Sequence, residues 1–514
     1  MTAGTLTRRG RHHRDGGLVE PPGKDHQASC AWRPRPPLAI ALSVSATFFV
    51  VAQAWLEISY PVLAAFGWCT IIYAGYLLIT APMNVACRGF DLSAHAERVR
   101  NWKPPCYPDV DIYLPICGEP PAVLSDTWAG VSELVDAYPG CARAVVLDDG
   151  PSGEACELSA SYGFRYLRRP DRRQSGKPGN LNFAFSRTAS PLLVVFDADC
   201  RPEPDFLAQT LPYFDDPAVG IVQTPWVTRL SPRPGWAERA AVPITEQFGR
   251  VTQVCADRFS AAQCVGSSVV YRRAALAATG GFTIVAGGED AHAVVDARRN
   301  GYRLKYLPLP LAASIRPQSL QAFARRQYRY CRGAMLLACS SGLWEVPMPA
   351  LARLPYLSGW LRNLVTGLCA LVLPLLPVVV LAWLPGDVRA GSAVLLGPLL
   401  LAGLVLWPLW CGRLVSPRSW PMWLACGWAQ VLVVWDFARG RISRPPVEAA
   451  PRICRGAAAW NGGVGLAWVA LAGWRLSQTG SWPFAVAITL GLLYLGLVAR
   501  LSRPDGAAKG GAAC

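Results

Sequence analysis

Two uninterrupted apolar runs, LAIALSVSATFFVVAQAWL (38–56) and PVLAAFGWCTIIYAGYLLITA (61–81), constrain this chain more than any other feature. Each is close to the ~20 residues a helix needs to cross a hydrocarbon core of about 30 Å. The short link between them predicts a hairpin that returns the chain to the cytoplasmic side. Apolar runs resume after residue 355, as NLVTGLCALVLPLLPVVVLAWL (363–384), GSAVLLGPLLLAGLVLWPLW (391–410), GAAAWNGGVGLAWVALAGW (456–474) and WPFAVAITLGLLYLGLVA (482–499). Six spans with both termini inside are therefore expected. One further run, SWPMWLACGWAQVLVVWDF (419–437), would place the five Arg of RGRISRPPVEAAPRICR (439–455) outside if it crossed, against the positive-inside rule. It is expected instead as a Trp-rich helix on the cytoplasmic surface.

Between these blocks the composition changes. The expected order is a disordered basic tail (1–37), a transmembrane hairpin (38–86), a cytoplasmic domain (88–345), an interfacial segment (346–362), a second hairpin (363–412), an interfacial helix and loop (413–455), a third hairpin (456–501) and a cytoplasmic tail (502–514). The net charge of +16 suits Arg-rich loops beside spans, and no basic helix or aromatic-basic repeat stands out, so no nucleic-acid partner is expected. The 17 cysteines are scattered, odd in number and never spaced C-x-x-C, which reads as reduced packing residues. Of five His, three sit in the tail, which argues against a zinc site or a His-based triad.

The central region alternates β-rich runs with helix-like segments. DIYLPI (111–116), ARAVVLDD (142–149), FRYLRR (164–169), LLVVFDAD (192–199) and GIVQTP (220–225) read as strands; PAVLSDTWAGVSEL (121–134) and GEACELSASYG (153–163) read as helices. This alternation predicts an α/β domain with a doubly wound, mostly parallel sheet, whose ligands bind at the carboxyl ends of the strands. Asp148-Asp149 and Asp197-Ala-Asp199 both fall at such ends.

Two carboxylates on alternate residues can share Mg²⁺ or Mn²⁺, which prefer hard oxygens and keep room for substrate phosphates. By itself such a pair reads more readily as an acidic strand end. Asp148 and Asp149 could accept hydrogen bonds from a ribose or a base, although DDG is also a turn sequence. In QSGKPGNLNFAF (174–185), Lys177 could pair with a phosphate and Asn180 could cap a helix. Glu289 and Asp290 open an amphipathic helix after two glycines, as caps or as a general base facing a hydroxyl; His292 lies around the helix as a bystander. In FARRQYRYCRG (323–333), Arg326, Arg329 and Arg332 share a helical face that could guard an anionic site or meet lipid headgroups.

In this order and between two membrane blocks, these segments resemble the processive family 2 glycosyltransferases, in particular the cellulose synthase-like and hyaluronan synthase-like membrane enzymes. The family's early Asp, D-x-D, [T/S/G]-E-D and Q-x-x-R-W motifs fall on Asp148/Asp149, Asp197-Ala-Asp199, Gly288-Glu289-Asp290 and Arg326 to Tyr330. LPICGEP, KPGNLNFAF, GIVQTPW, CVGSSVVYRR and GYRLKYLPLPLA are also family-like. The resemblance implies a Rossmann-like GT-A domain inserted between transmembrane helices, taking a nucleoside-diphosphate sugar, usually UDP-linked, and transferring it with inversion. Asp148 and Asp149 would contact the nucleotide, and Lys177 and Arg329 the diphosphate. Asp197 and Asp199 would hold the donor and Mg²⁺ or Mn²⁺. Asp290 would be the catalytic base, with Glu289, Arg326 and Tyr330 on the acceptor side. The acceptor would be a glycan, a lipid-linked sugar or a small molecule, and an accessory subunit could take part. Two departures stand out. The family's Gln is Arg326 and its Trp is Tyr330, and RISRPPVEAAPR stands where a gating-loop motif F-x-V-T-x-K is expected. These departures make a short product or a single transfer an alternative to long-chain synthesis. The opposing reading is a non-catalytic nucleotide-binding subunit of a polysaccharide assembly system.

Overall fold

The computed structural model describes residues 34–502 apart from 151–152, 173, 232–233, 286–288, 316, 347, 349, 390–396, 413–418 and 443–445. Most of the two tails, together with Gly288 and parts of the runs at 391–410 and 439–455, lie outside the described residues.

The first apolar run forms α1 (Pro36–Ser59). The second forms a 3₁₀ turn, Pro61–Phe66, continued by α2 (Gly67–Ala86). The central domain is built on a seven-stranded sheet of order β3-β2-β1-β4-β8-β6-β9. Its strands are β1 (Val110–Ile116), β2 (Ala142–Asp148), β3 (Arg165–Leu167), β4 (Leu192–Val195), β6 (Val219–Gln223), β8 (Val269–Arg272) and β9 (Arg303–Tyr306). β3, β2, β1 and β4 are mutually parallel, as are β6 and β9, while β8 runs antiparallel to both of its neighbours. The sheet is therefore mixed and mostly parallel, as expected for a GT-A domain. β5 (Cys200–Pro202), β10 (Ala312–Ile315) and β7 (Val227–Arg229) form a second, three-stranded sheet.

The apolar strands bury both faces. On one side α3 (Pro121–Ala137) brings Trp128 against Ile112, Leu114 and Val194. On the other, Leu181 and Ala184 of α4 (Gly176–Phe185) pack against Tyr113, Val195 and Val269. Burying each such aliphatic side chain contributes roughly 1.5–3 kcal/mol, which fixes the strand ends from which the acidic residues project. Asn180 is not a helix cap: α4 starts at Gly176, and Asn180 lies buried within it, donating to the Leu147 carbonyl at 2.8 Å. α5 (Glu289–Arg299) and α6 (Leu320–Cys339) complete the domain.

Beyond it lie α7 (Ala350–Leu371), α8 (Leu375–Trp383), α9 (Trp420–Ala438), α10 (Pro446–Thr479) and α11 (Trp482–Ala499). Among the described residues, three helices are long and apolar enough to cross a membrane: Pro36–Ser59, Pro61–Ala86 and Trp482–Ala499. A fourth results if Leu351–Leu371 and Leu375–Trp383, bent by 47°, count as one span. The run at 456–474 lies inside the 34-residue α10, which starts within the segment read as a loop. α9 packs against α6, α7 and α10. At this junction Asp436, almost wholly buried, accepts from Tyr328 Oη at 2.9 Å and from both terminal nitrogens of Arg452 at 3.0 and 3.2 Å.

Cysteine usage differs from the reduced state read from the sequence. Cys87, one residue past α2, is bonded to Cys255 with their Cα atoms 5.1 Å apart. The chain reversal that seats the end of α2 beside the helix Gln253–Asp257 brings together two thiols 168 residues apart.

Candidate active site

The carboxyl ends of β2 and β4 carry the two acidic pairs that the sequence singled out. β4 stops at Val195, so the apolar run delivers Asp197 and Asp199 into the turn that follows. The Asp197 amide donates to Ser267 Oγ at 2.9 Å, tying that turn to the approach to β8. The Ser314 hydroxyl of β10 lies 3.3 Å from Asp199 Oδ2.

Lys177, on the first turn of α4, reaches into the same place. Its ammonium contacts Asp197 Oδ1 and donates to the Gly266 carbonyl at 2.7 Å. Gly266 has φ +74°, and a Cβ built on it would lie 2.4 Å from both carboxylate oxygens of Asp290. Lys177, Asp197 and Asp290 thus meet around one glycine that no side chain could replace without moving the Asp290 carboxylate. Burial opposes the Lys177 charge, yet Asp197, Asp290 and Glu289 together hold its pKa above the ordinary lysine value. Asp290 is pushed up to about 7, first by burial and then by the neighbouring Glu289 charge. Asp197 adds to the rise, while Lys177 and Arg329 pull the other way. A carboxylate titrating near neutrality suits proton abstraction.

At the end of β2, Asp148 and Asp149 part company. Asp148 accepts from the Gly150 amide at 2.6 Å and from Tyr166 Oη at 2.5 Å, and it lines a small pocket with Gly118, Glu119, Leu124 and Glu154. Asp149 is taken up by Arg169, which donates Nε at 2.8 Å and a terminal nitrogen at 2.6 Å to its two oxygens; both residues are buried. Arg169 was hidden in FRYLRR, which reads only as a strand.

The arginine face of α6 is graded. Arg326 is partly buried, Arg329 and Tyr330 are exposed, and Arg332 is buried, so the three arginines do not share one environment. Arg326 Nε donates to Tyr330 Oη at 2.7 Å, and the guanidinium lies 6.0 Å from the Trp226 ring centre. Gln223, Thr224, Ser267 and Ser268 link this wall to the Asp197 turn: Gln223 Nε2 donates to the Ser267 carbonyl at 2.9 Å, and the hydroxyls of Thr224 and Ser268 are 2.6 Å apart. Trp226, Gln223 and Ser267 sit in segments whose family likeness was legible, but no spacing in the sequence marked them as site residues.

Among the described residues no group of three His, Cys, Asp or Glu side chains could hold a metal. Asp197 and Asp199 supply hard oxygens from one turn, and Asp197 remains partly exposed. That donor set fits a divalent cation that takes its remaining ligands from phosphate and water.

Residues 192–435 match the family model described as "Glycosyl transferase family group 2". "Cellulose synthase 1" of Komagataeibacter xylinus is 32% identical over 234 residues, 45% of this chain and 15% of that protein. "Cellulose synthase catalytic subunit [UDP-forming]" of Xanthomonas axonopodis pv. citri is 31% identical over 237 residues, 45% of this chain and 32% of that protein. The matched region thus spans a third or less of the length of these relatives. Among solved structures, "Mannosyltransferase PcManGT from Pyrobaculum calidifontis in complex with GDP-Man and Mn2+" aligns with a TM-score of 0.45 at 21% identity, covering 71% of this chain and 99% of that one. The region that holds the D-x-D turn, the Glu-Asp helix start and the arginine helix is thus similar to the family 2 glycosyltransferases, cellulose synthases among them.

Proposed function

We propose that this protein is an inverting, multi-pass membrane β-glycosyltransferase whose cytoplasmic domain takes a nucleoside-diphosphate sugar, UDP-linked by preference. The acceptor is a hydroxyl of a glycan, a lipid-linked sugar or a small molecule. The convergence of Lys177, Asp197 and Asp290 around Gly266 carries this reading. It sets a phosphate-seeking cation, a metal-seeking carboxylate and a carboxylate of raised pKa within reach of one reacting centre.

The pocket at Asp148 receives the nucleoside, with Asp149 acting through Arg169 to stiffen its floor. Lys177 and Arg329 steady the diphosphate. Asp197 and Asp199 would hold Mg²⁺ or Mn²⁺, which when bound supplies positive charge to the departing nucleotide. Asp290 takes the proton of the acceptor hydroxyl as its oxygen attacks the anomeric carbon. The bond from that carbon to the diphosphate breaks, and the nucleoside diphosphate leaves with the electron pair. A single displacement inverts the anomeric centre without a covalent intermediate. Glu289 keeps Asp290 basic, and Tyr330 offers the acceptor a ring face.

Purified membranes incubated with radiolabelled UDP- and GDP-sugars and Mn²⁺ provide the test. One donor should be consumed and its sugar transferred, and Asp290→Asn should cut transfer at least ~100-fold. Failure of every donor, or full activity in Asp290→Asn, defeats the assignment.

A further inference from the structure

We propose that Arg326 is an anion-binding side chain of the substrate pocket, taking a phosphate or carboxylate oxygen that the substrates supply. The inference rests on the sugar-transfer reading for the identity of the pocket, but not for the chemistry of the contact.

The guanidinium is held in place without being neutralised. Its Nε is engaged by Tyr330 Oη, one turn along α6, and its carbon lies 5.5 Å from the Tyr330 ring centre and 6.0 Å from that of Trp226. Among the described residues, its two terminal nitrogens have no hydrogen-bond or ion-pair partner. A partly buried cation in that condition carries a desolvation cost that a protein partner would ordinarily offset. The two terminal nitrogens form the fork that matches a phosphate or carboxylate edge.

The wall against which it rests leads to the D-x-D turn. Trp226 follows Thr224, whose hydroxyl meets that of Ser268, and Ser267 accepts from the Asp197 amide. Asp199 and Asp197 are close enough to favour the charged guanidinium, although neither is bonded to it. A bound anion placed between this fork and the acidic turn would face positive charge from Arg326. A neutral hydroxyl would gain far less from a full charge held in this way. The anion has two possible sources, the donor's diphosphate or an acidic group on the acceptor.

Calorimetry on the full-length protein in detergent with Mn²⁺ separates them. The first arm compares UDP and GDP with uridine and guanosine. The second, with UDP present, compares glucose 6-phosphate and glucuronate with glucose. Arg326→Gln should weaken the anionic member at least tenfold in one arm and leave its neutral counterpart unchanged; the affected arm names the source. Arg326→Lys should recover part of the loss. Tyr330→Phe, which frees Nε but keeps the ring, should weaken the same ligand by a smaller factor and stands in if Arg326→Gln fails to fold. Anion affinities equal to wild type in both arms, or no anion bound by wild type in either, overturn the inference. A wild-type protein that binds sugar phosphate through Arg326 but no nucleoside diphosphate would instead defeat the sugar-transferase reading and leave this one standing.

Discussion

Replacing Asp290 by Asn should cripple catalysis and stabilise the protein at the same time, and the stabilisation should depend on pH. The carboxyl is partly buried beside Glu289, and its pKa stands at about 7 against an ordinary value of 3.8. Each pKa unit corresponds to about 1.4 kcal/mol of preference between protonation states, so ionising Asp290 costs the folded state roughly 4 kcal/mol. The sign follows from the raised value. Below pH 3.8 folded and unfolded chains both carry the proton and the position costs nothing. Between 3.8 and 7 the unfolded chain ionises while the folded one resists, so stability falls; above 7 the loss is complete. Asn carries no such charge. Thermal unfolding in detergent followed by Trp fluorescence should therefore show little difference near pH 4 and a midpoint raised by roughly 10 °C at pH 8, at ~2–4 °C per kcal/mol for a domain of this size. Transfer should fall by about 10²–10⁴, the usual contribution of a general base. An equal gain at both pH values, or none at pH 8, would refute the claim that burial and Glu289 tune this carboxyl.

Three further outcomes can be measured. Glu289→Gln removes a negative neighbour that raises the Asp290 pKa, so the rising limb of the activity–pH profile should move to lower pH while the plateau survives. Gly266→Ala places a methyl group 2.4 Å from both Asp290 oxygens at φ +74°, so transfer should drop at least 100-fold while UDP binding, read by calorimetry, changes little. Arg169→Met leaves Asp149 buried and unpaired, which should cost about 3–5 kcal/mol; adding Asp149→Leu should restore most of that loss in thermal unfolding.

Long apolar runs were readable because burial on both sheet faces leaves no room for polar alternation, and β1, β2, β4 and β6 lie where such runs predict strands. The strands β5, β7, β9 and β10 have only three or four residues each, too few for a period to register. The antiparallel insertion of β8 is equally silent, because VVYR has the same composition in either direction. Acidic strand ends could be found by position, but not their partners. Lys177 meets Gly266 across 89 residues, and Arg169 meets Asp149 across 20. The Arg326–Tyr330 bond, at helical spacing, was within reach of local reasoning.

The triangle of buried Tyr328 and Asp436 with partly exposed Arg452 makes α6 a shaft clamped at its back. Tyr328 is two residues from both Arg326 and Tyr330, about 200° around the helix, so a hold on the phenol sets the angle at which both present themselves to the cleft. With side-chain tips roughly 6 Å from the axis, a roll of about 20° would sweep the guanidinium by some 2 Å, enough to lose a fork contact. A shift of α9 or α10, both packed against α6, would reach its arginine face as torque. On the proposed function, the central domain cut free at its ends would lose the angular setting of its arginines, so that it would fail to aim whatever donor it bound.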